Sequence, residues 1–379
     1  MTLTKRILGV SLILLLGFYT IWSNVGRTPS LQPIQTRIER TLVDGVDSNK
    51  GNILGIQPWM SAEDYASADR FREKIESYLL LAEKKGFLNP KTIVVLPEYL
   101  GTWLVVVGEK ESIYRAARMK EAMENLVLSN FFSFVWNWIQ AKAEDKVSDA
   151  VFRMKSKEML VAYQNTFSGL SRKFSITIVA GSILLPEPFV KDGFLRIGNG
   201  ALQNGSFVFL PDGKVAENSS LKIFPVDDEK PFVRASTVEN LRIVSTPAGK
   251  LGILVCADSW YPEVYETFRK QNVAFVVVPS FVAPNGAMDA IWKGYNGSEN
   301  PSDIQRSDIG RIREGEAWLK YALAGRISSS GANFGMNVFL RGDLWDLGSD
   351  GETIFVSGSR AQTHPRIFGA SLVNLLLYL

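Results

Sequence analysis

Short apolar runs of strand character, alternating with amphipathic segments, most constrain what this chain can fold into. NILGIQP (52–58) comes first, then a helical stretch over 61–86 in which Phe71, Ile75 and Leu79 recur on one face, then KTIVVLPEYLG (91–101). Ser61 with Asp64 offers a helix cap and Gly86 a stop, so the opening reads β-α-β. The pattern turns strand-rich from residue 174. FSITIVAGSILL, GSFVFLPDGKVAENSSLKIFPV and NLRIVSTPAGKLGILVCAD carry turns at 211–213 and 247–249. A helix over 262–271 follows, then the strand VAFVVVPSF, a Gly/Asn/Ser-rich loop over 284–310 and a helix near 312–327. NFGMNVFL, DLWDLG and TIFVSG read as the final strands. Hairpins mixed with β-α-β units predict an α+β or layered α/β sandwich with a mixed sheet.

Composition narrows the chemistry. With 46% apolar and 21% charged residues the chain can bury a large core and is not a disordered protein. The net charge of +3 is small beside 42 Lys+Arg and 39 Asp+Glu, and no run of five or six like charges suggests a nucleic-acid partner. A single Cys and a single His exclude an intramolecular disulfide and a His/Cys zinc cluster, and nothing calls for a cofactor or metal. The histidine, His364, lies in the polar stretch QTHPR and reads as a solvated loop residue.

Residues 7–22 (ILGVSLILLLGFYTIW) carry no charge and follow Lys5 and Arg6. They read as a signal peptide or signal anchor, and the absence of a small-residue cleavage site favours an uncleaved anchor. The flanking charges put the N-terminus in the cytoplasm and the rest of the chain outside it, single-pass. The expected organisation is an anchor over 1–25, a linker over 26–50 and a catalytic domain over 51–379. A helical segment at about 105–167 holds the aromatic cluster FFSFVWNWIQ, either a core helix or an element dipping into the bilayer.

Cys256, in KLGILVCADSWYPEVY, follows a strand and precedes Pro262, which suits the first turn of a helix capped by Asp258 or Ser259. A helix N-terminus there would favour the thiolate and hold a developing oxyanion. The bland alternative is a small core hydrophobe. Glu98, in VVLPEYLG, ends an apolar strand, where a carboxylate can have a raised pKa suited to a general base. Lys222, in SSLKIFPV, could supply fixed positive charge or simply be a solvated strand lysine.

Together these segments resemble the nitrilase, or carbon–nitrogen hydrolase, superfamily, in which a strand-end Glu, a Lys and a Cys in a C-x-D-x-x-x-P-E context form the catalytic set. Cys256-Ala257-Asp258 and Pro262-Glu263 match that context, and the order Glu, Lys, Cys agrees. The resemblance implies an α-β-β-α sandwich, often dimerised. It also implies Glu98 as general base, Cys256 as nucleophile through a thioester, Lys222 as stabiliser of the tetrahedral intermediate and the Ala257 N–H in the oxyanion hole. The chain departs from the pattern at Ala257, where an aromatic is usual, and at Trp260, where Arg is common. Asp228, Glu229 and Glu239 are candidates for a second carboxylate, Glu229 being favoured. The implied function is a membrane-anchored amidase acting on a small-molecule amide, as a possible homodimer. Acyl transfer from the cysteine to an amine, and an inactive scaffold, are the alternatives.

Overall fold

The computed structural model describes residues 3–378 and consists of two stacked β-sheets between two helical layers. The first sheet runs β1 (Ile38–Asp44), β15 (Ala370–Leu376), β2 (Asn52–Gln57), β4 (Thr92–Leu96), β5 (Thr177–Lys191), β6 (Phe194–Phe209) and β7 (Ser220–Leu221). The second runs β14 (Arg360–Gln362), β13 (Ile354–Ser357), β11 (Phe334–Phe339), β10 (Phe275–Ser280), β9 (Gly249–Ile253) and β8 (Val244–Thr246). Two short strands, β3 (Trp59–Ser61) and β12 (Arg341–Asp343), pair with each other. Strands β2, β4 and β5 are parallel, as are β9, β10 and β11, and antiparallel strands flank both sets.

The continuous apolar runs exist because the central strands are covered on both faces. Ile93 and Val95 of β4 meet Val277 of β10 and Met336 of β11 between the sheets. The intervening Val94 and Leu96 face the outer layer, α2 (Ala68–Lys84) and α6 (Lys146–Phe174), with Ile75, Leu79 and Phe167. On the other side Val276 and Val278 meet Val264 and Phe268 of α7 (Pro262–Gln271). The sheets approach closely at Gly55: a Cβ there would stand 2.3 Å from Met336 Sδ.

Local expectations fare unevenly. Asp64 accepts from the Ser61 N–H at 2.9 Å, but that caps only a short 3-10 turn; α2 begins again at Ala68 with Ser67 as its cap. The segment DLWDLG is a loop after β12 rather than a strand, with Trp345 at φ +52°. The terminal run ASLVNLL, not singled out by pattern, is β15, inserted between β1 and β2. The stretch expected to be a linker contributes β1, because its polar edge needs only one partner strand, β15.

Between β4 and β5 lie α3 (Glu111–Tyr114), α4 (Met119–Ser129), α5 (Phe131–Gln140) and α6. None of the α5 side chains is buried: Trp136 is 67% exposed and Ile139 66%. The core-helix alternative for the aromatic cluster is therefore wrong. Near α5 stands α1 (Leu3–Asn24), the one helix among the described residues long and apolar enough to cross a membrane. The Arg6 side chain lies outside the described residues. Tyr19 meets Phe132 edge-on at 5.1 Å and accepts from the Phe131 N–H. Arg27 pairs with buried Glu109 at 2.9 Å, and Lys155 holds the same carboxylate at 2.7 Å.

Candidate active site

Strand β4 ends at Leu96, and Pro97 prevents continuation of the ladder, so the chain turns at Glu98 with Tyr99 at φ +60°. The turn rests on a bulge of β5. Gly181 (φ +71°) is required there, since a Cβ would lie 2.1 Å from Pro97 O. Ser182 Oγ accepts from the Tyr99 N–H at 2.9 Å. The Glu98 side chain is thereby aimed inward and is almost fully buried.

Lys222 directly follows β7, and its Nζ lies 2.8 Å from Glu98 Oε1 and 2.6 Å from Glu229 Oε2. Asn204, on β6, donates from one amide nitrogen to both carboxylates, at 3.0 Å and 3.1 Å. The Tyr99 hydroxyl donates to Glu229 as well, and the Val226 N–H does so at 3.0 Å. Cys256 follows β9 at φ +49°, a left-handed conformation that costs a non-glycine residue and points the thiol out of the strand line. Its sulfur donates weakly to Phe281 O at 3.7 Å and lies near enough to the Glu98 carboxyl for each to shift the other's pKa.

Asp258 joins two of these loops. Its carboxylate accepts from the Ile223 and Phe224 N–H groups at 2.9 and 2.8 Å, and from Val255 at 3.2 Å. The segment after Lys222 is thus clamped to the Cys256 turn. Asp258 does not cap α7, whose N-cap is Tyr261, because a 3-10 turn, Cys256–Trp260, intervenes.

Electrostatically, two carboxylates share one ammonium. Burial raises the Glu98 pKa, and Lys222 only partly opposes it. Glu229 is also buried, but Lys222, Tyr99 and the Val226 N–H outweigh this and hold its pKa low. Desolvation works against Lys222, yet Glu229 and Glu98 keep it well above its ordinary value. Burial and then Glu98 push the Cys256 thiol up. This shift runs against the thiolate expected from a helix N-terminus, and the 3-10 turn Cys256–Trp260 separates the thiol from α7. Burial pushes Asp258 up to about 7 despite its three N–H donors.

These groups open onto a cavity of about 690 Å³ whose wall includes Ala257, Asp228, Trp260 and Tyr261. Glu239 is exposed and away from it; His364, also away from it, is half-buried and stacks on Phe355 rather than being a solvated loop residue. Among the described residues, none lining the cavity belongs to the segment 105–167. It approaches from behind, with Phe152 stacked at 6.0 Å on Phe232 of the wall and the Asp145 N–H on Pro231 O at 3.0 Å. No group of three or more His, Cys, Asp and Glu among the described residues could hold a metal ion. Pattern reading missed Asn204 and Tyr99. Neither carried a signal: Asn204 sits beside Gln203, Gly205 and Ser206 in a mixed stretch of β6, and Tyr99 lies in a turn.

The solved structures this chain resembles include an amidase from Nesterenkonia sp., with a TM-score of 0.50 at 14% identity over 86% of this chain and 90% of that one. A mutant of the amidase from Nesterenkonia sp. AN1 in complex with butyramide gives 0.51 at 15% identity over 87% and 94%. At such identities the likeness is one of fold, and it matches the four-layer arrangement. A curated relative, "Probable hydrolase YhcX" of Bacillus subtilis (strain 168), is 24% identical over 117 residues, which are 31% of this chain and 20% of the relative. The family model for carbon-nitrogen hydrolases matches residues 65–300, a span that contains Glu98, Lys222 and Cys256, and the chain belongs to that family.

Proposed function

We propose that the protein is a membrane-anchored amidase in which Cys256 attacks the carbonyl carbon of a small amide. The convergence of Glu98, Lys222 and Cys256 on one buried point of the cavity wall carries this reading. Glu98 takes the thiol proton as the S–C bond forms. Lys222 and the Ala257 N–H balance the oxyanion. When the C–N bond breaks, Glu98 returns the proton to the departing amine and a thioester remains. Water, deprotonated by Glu98, attacks the thioester; the acid leaves and the thiol is restored. Glu229 stays ionised and holds Lys222, while Asn204 keeps the Glu98 carboxylate turned toward it. Amide complexes of the Nesterenkonia amidase motivate the substrate class.

Supporting the anchor, the end of α1 is built into the domain: Lys110 covers the Trp22 ring at 3.6 Å, and Arg27 reaches Glu109. The exposed Phe132, Trp136 and Ile139 of α5 adjoin it and suit the headgroup boundary of a bilayer. Acyl transfer from lipid would favour an apolar path from Cys256 toward α1, and no cavity residue comes from α1 or α5.

The test uses full-length protein and a panel of short aliphatic amides, with release of amine and the mass of trapped acyl-enzyme as readouts. Turnover with an acyl adduct on Cys256, absent in Cys256→Ala, is expected. Adducts that pass only to added amines and never to water would replace hydrolysis by transfer. For the anchor, wild type should float with liposomes, and a Phe132→Ser/Trp136→Ser/Ile139→Ser variant should bind them more weakly. Full binding by that variant would remove α5 from the membrane surface.

A further inference from the structure

Two carboxylates on the cavity wall have no part in the chemistry above: Asp228 is exposed, whereas Glu314 is half-buried. Glu314 opens α8 (Glu314–Tyr321), and its N–H is tied to Ala290 O at 2.8 Å. Trp292 is locked beside it, with its N–H on Ile312 O at 2.9 Å and its carbonyl accepting from Gly310 at 2.9 Å. Among the described residues no Lys or Arg forms an ion pair with Glu314; Lys293 also lines the cavity but is exposed. Arg313 reaches Asp289, Lys320 reaches Asp308 and Arg326 reaches Asp303. Burial pushes the Glu314 carboxyl up to about 7, as an anion lacking a counter-charge requires.

The walls around it are aromatic. Trp260 meets Trp318 edge-on at 4.9 Å and Tyr295 edge-on at 5.3 Å, and lies parallel to Trp292 at 6.0 Å. All four rings line the same cavity as Cys256. The Tyr295 hydroxyl is fixed by Trp260 O at 2.7 Å and by Arg326, so that wall is rigid. The Trp318 indole N–H is buried beside the Glu314 carboxyl but makes no formed hydrogen bond. A lone carboxylate among π-faces is the environment that stabilises an organic cation, through charge pairing and cation–π attraction together.

We propose that Glu314, with Trp260, Trp318 and Tyr295, is a subsite for an ammonium-type cation on the substrate, so that the amide cleaved at Cys256 carries a positive charge on its far arm. This rests on the amidase reading for the bond that is cleaved, though not for the binding itself. It also gives a use to Trp260 at a position where the family commonly has Arg: a cation there would compete for the space and charge that the subsite offers to ligand.

The experiment compares γ-aminobutyramide with its uncharged isostere, pentanamide, on full-length wild type, Glu314→Gln and Glu314→Asp. Wild type should prefer the cationic amide by roughly 10-fold or more in kcat/KM. Glu314→Gln should erase that preference through KM with kcat little changed, and Glu314→Asp should keep part of it. Equal use of both amides by wild type, or an unchanged preference in Glu314→Gln, overturns the subsite. If neither amide is turned over, hydrolysis of these amides fails separately, and protection of Cys256 from iodoacetamide decides the subsite. Protection by γ-aminobutyramide and not by pentanamide, lost in Glu314→Gln, upholds it; no such difference overturns it.

Discussion

Two buried ion clusters in this molecule are built from the same residue types and differ in balance. Under α1, Glu109 is held by Lys155 at 2.7 Å and Arg27 at 2.9 Å, and by Asn130, and none of these four lines the cavity at Cys256. At the end of β4, Glu98 and Glu229 share the single cation Lys222 and border, with the Cys256 thiol, a cavity of about 690 Å³. The first cluster sets two cations against one carboxylate and fastens α6 and the end of α1 together. The second sets two carboxylates against one cation, and burial raises the pKa of Glu98 while Lys222 holds that of Glu229 low. An excess of buried carboxylate beside solvent-accessible space is the setting in which a proton can be exchanged; an excess of cation on one carboxylate is not.

The largest expected effect is on turnover. Cys256→Ala should lower it by at least ~10³-fold while thermal unfolding changes little, since the thiol borders a cavity and leaves no sealed void. Glu109→Gln should leave the reaction rate of the thiol unchanged; a parallel loss would collapse the contrast between the clusters.

Stability separates the cations. Lys222→Met leaves two buried carboxylates unpaired and should cost about 3–5 kcal/mol at pH 8. Without the ammonium, burial raises both carboxyls above the ~4.3 of an unfolded Glu, so the folded state binds more protons than the unfolded one. Its stability should therefore recover as pH falls from 8 to 5. Lys155→Met should cost less, about 1–3 kcal/mol, because Arg27 remains on Glu109, and should show less recovery. Denaturant titrations at the two pH values measure both, and equal pH dependence would break the comparison.

The proton itself is visible in thiol labelling. Ionised Glu98 must accept it, and burial raises the Glu98 pKa. Alkylation of Cys256 followed by intact mass should thus fall away on the acid side at a higher pH than an ordinary carboxylate would cause. Glu98→Gln should slow labelling ~10²-fold and remove that acid limb. An unaltered limb would give the proton to another group. The smallest effect is expected from Asn204→Ala, roughly 10-fold or less, with the limb shifted to higher pH because the ionised carboxylate loses a donor.

Much of the frame was legible because buried strands write themselves as apolar runs: β4, β9, β10 and β11 all stand where those runs stand. Glu98, Lys222 and Cys256 could be named because each interrupts or ends such a run with a costly or reactive side chain. Asn204 escaped notice because one amide in a strand has the same local signature whether it meets water or two carboxylates. Strand β15 was missed because its partner β1 lies over three hundred positions away, and β1 itself looked like linker for the same reason. The strand expected at DLWDLG failed because alternating apolar residues cannot show that a left-handed turn at Trp345 interrupts them.

By itself the sequence determined the layered α/β class, the apolar N-terminal helix, and the exclusion of zinc-cluster and disulfide chemistry through a single Cys and a single His. These follow from local periodicity and from counts, which need no partner to be meaningful. Only the tertiary structure decided which carboxylates face one ammonium, that burial and Glu98 push the thiol up rather than down, and that the aromatic helix α5 lies bare beside α1. Those properties depend on desolvation and on distances between side chains far apart in the chain, and neither quantity exists until the sheets have closed on each other.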